Sequence, residues 1–208
     1  MEEVRQGFRS GSSAGVQEAL DWILSRQGLE GSYCGLFMPT PKDLKLGAHL
    51  PTGEHIQTNA GTRHVLGEEA LRTALVWKLH HSPHVVRALE GFNQILERGG
   101  KTGKYCCGTC TTAFLRTLQT TKISEKNRII EMGIARMKKA RKPNGRWRAF
   151  PFYYTLLTLS EIDSPSAREE LRHASKAAEN LLKRHKGTDR TSLFRTLALK
   201  AAVNAAQP

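Results

Sequence analysis

Three cysteines lie close together in the middle of the chain, at Cys106, Cys107 and Cys110. Cys107 and Cys110 have the C-x-x-C spacing, which can ligate zinc. An apolar run follows them, so we expect the cluster at the start of a buried helix, where backbone N–H groups and the helix dipole favour thiolates. Zinc needs further ligands, and His64 or Cys34 can supply one after folding. The sequence thus suggests zinc at Cys106, Cys107, Cys110 and His64, and packed thiols, a redox role and an iron–sulfur role remain open alternatives.

A basic and aromatic segment, residues 143–161, offers a second kind of chemistry. Two arginines flank a tryptophan behind a Pro-Asn-Gly turn, and an uncharged run with two tyrosines follows. A similar glycine hinge with one lysine precedes the cysteines. Cations suit the head of an isoprenoid diphosphate and rings suit its tail, so we expect a pocket for an apolar ligand with an anionic head. The predicted ligand-binding residues are Lys104, Arg146, Trp147, Arg148, Tyr153 and Tyr154.

The positive charge of the chain is concentrated around the same segment. Residues 122–148 hold ten Lys and Arg against two Glu, so their charge is 10 − 2 = +8 of a total of +13. Cations that bind phosphates beside rings that stack on bases also indicate a nucleic-acid-binding surface. A third reading is a solvated outer face with core aromatics. The alternatives to the isoprenoid pocket are therefore a helical-repeat nucleic-acid binder and a non-catalytic subunit or scaffold.

The periodicity of apolar residues predicts helices throughout, and no segment shows strand alternation. Glycine hinges at Gly31, Gly103 and Gly145 follow helix-like segments, and the last two are 145 − 103 = 42 residues apart, a spacing typical of a helical hairpin repeat. The segments after the second and third hinges, 110–118 and 152–159, are apolar on nearly every side and are expected to be buried, whereas the helices before the hinges are amphipathic. We therefore expect an all-α fold of about eight helices, arranged as an arc of hairpins. Residues 1–15 read as a flexible leader, and 16–208 as one domain with a loop insertion at 39–67.

These patterns resemble the prenyltransferase and terpenoid-cyclase repeat proteins, which build α/α toroids. The resemblance rests on residues 19–27 before Gly-Ser-Tyr at 31–33, on Gly-Arg-Trp at 145–147 before 154–159, and on the run 110–115. It implies an inner pocket for an isoprenoid, with turnover, and zinc near the ends of inner helices. The chain has room for fewer helical pairs than the full toroid, which implies an open arc or a ring completed by a homo-oligomer.

The aspartates depart from the family's catalytic patterns. Asp21, Asp43, Asp163 and Asp189 are isolated, whereas cyclases use an aspartate-rich acid motif and head-group ionisation elsewhere uses clustered Asp with magnesium. Protein prenyltransferases hold zinc with an Asp, a Cys and a His, and no Asp here matches. No residue set therefore supports a catalytic assignment.

The overall composition is that of a globular protein with acidic partners. A chain of 208 residues, 39% hydrophobic and 25% charged, fits one folded domain. A net charge of +13 favours nucleic acid, phosphorylated ligands or anionic surfaces. Four cysteines, two of them adjacent, are no disulfide framework, so we expect reduced thiols in a cytoplasmic protein. The polar N-terminus is no signal peptide, and no uncharged run approaches the ~18 residues that a membrane span needs.

Overall fold

The structure, a computed structural model, describes residues 1–7, 10 and 12–206, and most of this part of the chain is helical. Ten α-helices occur there, eight of them with nine or more residues, and no strand. This confirms the predicted all-α class with about eight helices. The helices are α1 (Glu2–Arg5), α2 (Ser13–Ser25), α3 (Pro41–Leu46), α4 (Asn59–Val76), α5 (Pro83–Glu97), α6 (Gly108–Thr120), α7 (Lys126–Lys139), α8 (Phe152–Ser160), α9 (Pro165–Arg184) and α10 (Arg190–Asn204).

Backbone contacts divide the chain into two compact units. Unit 1 comprises Met1–Ala48 and Gln57–Gly100, and unit 2 comprises His49–Ile56 and Lys101–Pro208. Helices α1 to α5 belong to unit 1, and α6 to α10 belong to unit 2. The single domain over 16–208, the arc and the homo-oligomer stay predictions. None of the helices in the described part of the chain is both long and apolar enough for a membrane span.

The predicted insertion at 39–67 contains two helical segments that belong to unit 1. These are α3 and the beginning of α4, which starts at Asn59 and continues through Gly67. A Cβ on Gly67 would lie 3.1 Å from the Cβ of Leu36. This glycine therefore lets Leu36 pack closely against α4, and the helix continues through it.

The turn over Tyr33–Gly35 packs against α5 in unit 1. A Cβ on Gly91 of α5 would lie 1.8 Å from the carbonyl oxygen of Cys34, so only glycine fits there. The apolar face of α5 is buried beneath this turn and includes Phe92. This close backbone contact therefore holds the short turn on the core of the unit.

In unit 2, helices α6 and α8 are the most buried elements. Every residue from Cys110 to Leu118 in α6 is buried, as are Phe152 and Tyr154 to Leu159 in α8. This confirms the prediction that both segments are buried on nearly every side. Helix α6 packs on α7 and α8, α9 packs on α7 and α8, and α10 packs on α8 and α9. Apolar burial on this scale is the main source of stability in such a unit.

Two ion pairs of unit 2 each join a fully buried group to a partly exposed partner. The Arg116 guanidinium of α6 binds Glu161 through both carboxylate oxygens, at 2.9 Å and 2.8 Å, and lies 5.6 Å from the Tyr154 ring centroid. The second pair joins Arg141 to Glu170 of α9, with Nη2 to Oε1 at 2.6 Å. Paired carboxylates and guanidinium groups satisfy charges that would be very costly to bury alone.

Trp147 completes the second ion pair. Its indole Nε1–H donates to Oε2 of Glu170 at 2.7 Å, and its side chain is only 3% exposed. The Arg141 Nε donates to the same oxygen at 3.2 Å. The buried carboxylate of Glu170 therefore holds the turn between α7 and α8 against α9.

We expect Glu170→Ala to destabilise the protein by about 3 kcal/mol or more, because it leaves the buried Trp147 N–H without an acceptor and removes the buried carboxylate that pairs with the Arg141 guanidinium. Glu169→Ala is the matched control. Its carboxylate is exposed and binds Lys138 and Arg141 at the surface, so its loss should cost much less than the loss of Glu170. Urea unfolding measures both. Equal costs for the two variants would contradict a structural role for the Glu170 carboxylate.

Candidate thiol and ligand site at the start of helix α6

The loop before α6 is anchored to α7 by a close contact between two glycines. Gly103 has a φ of +69°, and a Cβ on it would lie 2.4 Å from the backbone nitrogen of Gly133. Arg136 of α7 adds a hydrogen bond from its Nε to the carbonyl oxygen of Thr102, at 3.2 Å. Both contacts place Lys104 and the cysteines next to α7.

The hydroxyl of Thr111 fixes the next part of this loop. It donates to the carbonyl oxygen of Tyr105 at 2.6 Å and accepts the Tyr105 N–H at 3.0 Å. The backbone N–H of Thr111 also bonds the carbonyl oxygen of Cys107 at 2.8 Å, which starts the helix. A single buried threonine therefore holds the loop against the first turn of α6.

The segment before α8 approaches the start of α6 very closely. A Cβ on Gly108 would lie 1.9 Å from the carbonyl oxygen of Ala149, so a larger residue cannot occupy this position without a shift. Ala149 itself has a φ of +64°, and Cys106 on the other side has a φ of +44°. Left-handed backbone at such residues costs about 1–3 kcal/mol each and persists only where the surrounding packing imposes it.

The three thiols occupy the first turn of α6 and the residue before its cap. Cys107 is the N-cap residue, and its Sγ shares a hydrogen bond with the Cys110 Sγ at 3.6 Å. The Sγ atoms of Cys106 and Cys110 lie within 4.8 Å of each other. Cys106 and Cys107 are exposed, whereas Cys110 is buried. This confirms the prediction that the three cysteines lie at the start of a helix.

The environment of Cys107 stabilises a thiolate. Its pKa is lowered from 9.0 to about 5, first by the side-chain hydrogen bond with Cys110, while partial burial acts in the opposite direction. The backbone N–H groups of Cys110 and Thr109 and the Cys106 side chain lower the pKa further. At neutral pH, Cys107 is therefore an anionic nucleophile at a helix N-terminus.

A surface cavity of about 370 Å³ opens in front of these thiols. Lys104 and Arg136 bring positive charge to it, and Phe150 brings an apolar surface. The other lining residues are Cys106, Cys107, Gly108, Thr111 and Ala149. The cavity therefore combines cations, a thiolate and an aromatic ring within unit 2.

Of the predicted metal ligands, the structure brings the three cysteines together in unit 2. His64 lies on α4 of unit 1, where its ring centroid is 3.9 Å from that of Tyr33. Its part in a metal site stays a prediction.

Of the predicted ligand-binding residues, Lys104 lines the cavity. Arg146 and Arg148 are exposed on the turn before α8, and the Arg146 guanidinium carbon lies 4.7 Å from the Phe152 ring centroid. Trp147 is buried against Glu170, as described above. The ligand roles of the two arginines and of Trp147 stay predictions.

The two predicted tyrosines are tied to the segment His49–Ile56 of the same unit. The carboxylate of Glu54 accepts the backbone N–H groups of Tyr153 and Tyr154, at 2.7 Å and 3.3 Å, and burial raises the pKa of Glu54. The Tyr153 ring lies 4.7 Å from the Arg195 guanidinium carbon, and Tyr154 is fully buried. Glu54 therefore caps α8, and only Tyr153 retains an accessible side chain.

The basic stretch 122–148 is partly neutralised by carboxylates. Lys138 pairs with Glu169 at 2.9 Å, and Arg141 pairs with both Glu169 and Glu170. The rings expected to stack on bases include the buried Trp147. Nucleic-acid binding and a scaffold role stay predictions, and the stretch has less unpaired charge than its composition suggests.

Three residues at the cavity were not predicted as site residues from the sequence. Arg136 counted only as one cation of a basic helix, and Phe150 only as one aromatic of the segment 143–161. Gly108 gave no signal beyond its place inside the C-x-x-C motif. The contact that assigns Gly108 a role is made with Ala149, 41 residues away along the chain, since 149 − 108 = 41.

Comparison of the chain with protein-family models, curated proteins and solved structures finds no significant match. The resemblance to the prenyltransferase and terpenoid-cyclase proteins therefore stays a prediction.

We expect the alkylation rate of Cys107 by iodoacetamide to rise through a midpoint near pH 5 in the folded protein, because only the thiolate reacts. In denatured protein the midpoint should move to about 9.0. Mass spectrometry of the peptides measures both, with Cys107→Ser as the control for the assignment. A midpoint near 9 in the folded protein would contradict the geometry described here.

The difference between the pKa of Cys107 in the folded and in the unfolded protein makes the stability depend on pH. Because the pKa is lower in the folded protein, the unfolded chain binds more protons between pH 5 and 9. The free energy of unfolding therefore rises with pH across this window. The contribution of the Cys107 thiolate is thus complete above about pH 9 and is lost as the pH falls through about 5. Cys107→Ser should remove this pH dependence.

Proposed function

We propose that the cavity at the start of α6 binds a small ligand with an anionic head group and an apolar body, such as an isoprenoid diphosphate. The observation that carries this proposal is the presence of Lys104, Arg136 and Phe150 in one cavity of about 370 Å³. Cavities that hold small molecules begin at about this size and combine an apolar lining with a few charged groups.

The charge of the cavity favours an anion even when Cys107 is a thiolate. Lys104 and Arg136 contribute +2 and the thiolate contributes −1, so the sum is +2 − 1 = +1. The N-terminus of α6 adds partial positive charge through the helix dipole. The head group therefore binds between the two cations, and the apolar body lies against Phe150.

Titration with geranyl diphosphate, followed by calorimetry, tests this assignment. Lys104→Ala and Arg136→Ala should each weaken binding about tenfold or more, because each removes a charge-assisted hydrogen bond that contributes about 1.5–3 kcal/mol. Lys139→Ala is the matched control, since Lys139 is an exposed cation of α7 outside the lining of this cavity. It should leave the affinity unchanged.

The outcome also decides between two positions for the head group. If Arg146→Ala weakens binding and Lys104→Ala does not, the head group binds at the turn before α8 and the cavity assignment is wrong. Absence of any binding by the unmodified protein would reject an isoprenoid diphosphate as the ligand. Thermal melting of each variant separates lost affinity from lost folding.

Zinc binding by the thiols is the second candidate function. The observation that favours it is the approach of Cys110 to both neighbours, with its Sγ at 3.6 Å from that of Cys107 and within 4.8 Å of that of Cys106. These thiolates would supply up to three of the four ligands of a tetrahedral zinc site, where the metal would stabilise the loop before α6.

Elemental analysis of protein purified without added metal tests the zinc candidate. Near-stoichiometric zinc is expected, and it should be lost in Cys110→Ser. Cys34→Ser is the control and should keep the zinc, since the Cys34 Sγ accepts a hydrogen bond from the Arg98 guanidinium at 3.4 Å within unit 1. Metal-free protein with unchanged stability would exclude this candidate.

A further inference from the structure

The two cysteines of the C-x-x-C motif differ sharply in accessibility. Cys107 is exposed at the N-cap of α6 and lines the cavity, whereas Cys110 is fully buried one turn later. Their Sγ atoms are 3.6 Å apart, so a disulfide of about 2.05 Å needs only a small movement of the side chains. Of these two thiols, only Cys107 is accessible to a reagent from solution. Cys110 is buried next to it and can react only with the Cys107 sulfur.

We propose that Cys107 and Cys110 form a redox-active dithiol that reduces small anionic disulfides in the cavity. This activity goes beyond the ligand binding proposed above and requires no isoprenoid. The exposed position of Cys107 at the N-cap of α6 supports it, because a thiolate is the attacking species in thiol–disulfide exchange and a helix N-terminus stabilises one.

The exchange takes place in two steps with no other reactant. The Cys107 thiolate attacks one sulfur of the substrate disulfide, the substrate S–S bond breaks, and the first substrate thiolate leaves and takes a proton from water. Cys110 then loses its proton and attacks the Cys107 sulfur, which releases the second substrate thiolate. Two electrons pass from the protein to the substrate, so one disulfide becomes two thiols and Cys107 becomes bonded to Cys110.

The cations of the cavity determine the charge of the substrate. Lys104 and Arg136 line the cavity beside Cys107, and among the residues that the structure describes no carboxylate lines it. A disulfide with carboxylate groups should therefore accumulate next to the thiolate, and a disulfide with amino groups should be repelled. Because both cations lie at the surface, added salt should reduce the preference.

Cys106 is the competing thiol at this site. It is exposed, and its Sγ lies within 4.8 Å of that of Cys110. Cys106 precedes the N-cap residue and has a left-handed backbone, so it belongs to the loop before the helix and not to the first turn. We therefore assign the attack to Cys107, the residue hydrogen-bonded to Cys110, and expect Cys106→Ser to retain the activity.

The experiment follows one turnover of the reduced, full-length protein by mass spectrometry. The probes are oxidised glutathione, with a net charge of about −2 at pH 7, neutral hydroxyethyl disulfide, and cystamine, with a charge of about +2. Oxidised glutathione should react at least about tenfold faster than cystamine at low salt, and Lys104→Ala combined with Arg136→Ala should abolish this preference. Lys139→Ala should keep it.

Variants of the cysteines then identify each role. Cys110→Ser should stop at a mixed disulfide with one glutathione on Cys107, Cys107→Ser should not yield the internal disulfide, and Cys106→Ser should behave as the unmodified protein. Peptide mapping should find the bond between Cys107 and Cys110.

Three results would overturn the proposal. These are an internal disulfide that contains Cys106 in place of Cys107, equal rates for the anionic and cationic probes, and near-stoichiometric zinc that blocks the reaction until it is chelated. Circular dichroism of each variant excludes misfolding as the cause of a lost reaction. Failure of geranyl diphosphate to bind would leave these outcomes unchanged, since the assay contains none.

Discussion

The close approach of the Gly108 backbone to the carbonyl oxygen of Ala149 is the constraint on which the candidate site depends. It sets the start of α6 against the segment before α8, at a distance that no side chain on residue 108 allows. Cys107 and Phe150 are the chain neighbours of these two residues and therefore face the same cavity. The left-handed backbone at Ala149 is consistent with a position imposed by packing and not by local preference.

The cations of unit 2 fall into two groups with different surroundings. Arg116 and Arg141 are paired with the carboxylates of Glu161 and Glu170, and they connect α6 and the turn after α7 to the rest of the unit. Lys104 and Arg136 instead line a cavity whose described lining residues include no carboxylate. In the first group each buried charge has a matched partner, whose removal would be costly, whereas the second group leaves positive charge available to an anion.

The sequence was sufficient to predict the class of the fold and its most buried helices, because α6 and α8 are apolar on nearly every side. It also located the cysteines at a helix start. It could not predict the surroundings of each aromatic residue. Trp147 lies next to arginines in the sequence, but its indole N–H donates a hydrogen bond to Glu170 on another helix. Contacts between distant segments, such as that of Gly108 with Ala149, leave no periodic signal in either segment.

The central claim is that the thiolate of Cys107 and the ligand share one cavity. Protection of Cys107 from iodoacetamide by geranyl diphosphate tests it most directly, with the rate of alkylation and the occupancy of the ligand measured in the same samples. The account predicts that alkylation of Cys107 slows in proportion to occupancy, while alkylation of Cys34 does not change. Saturated binding with an unchanged rate at Cys107 would contradict it.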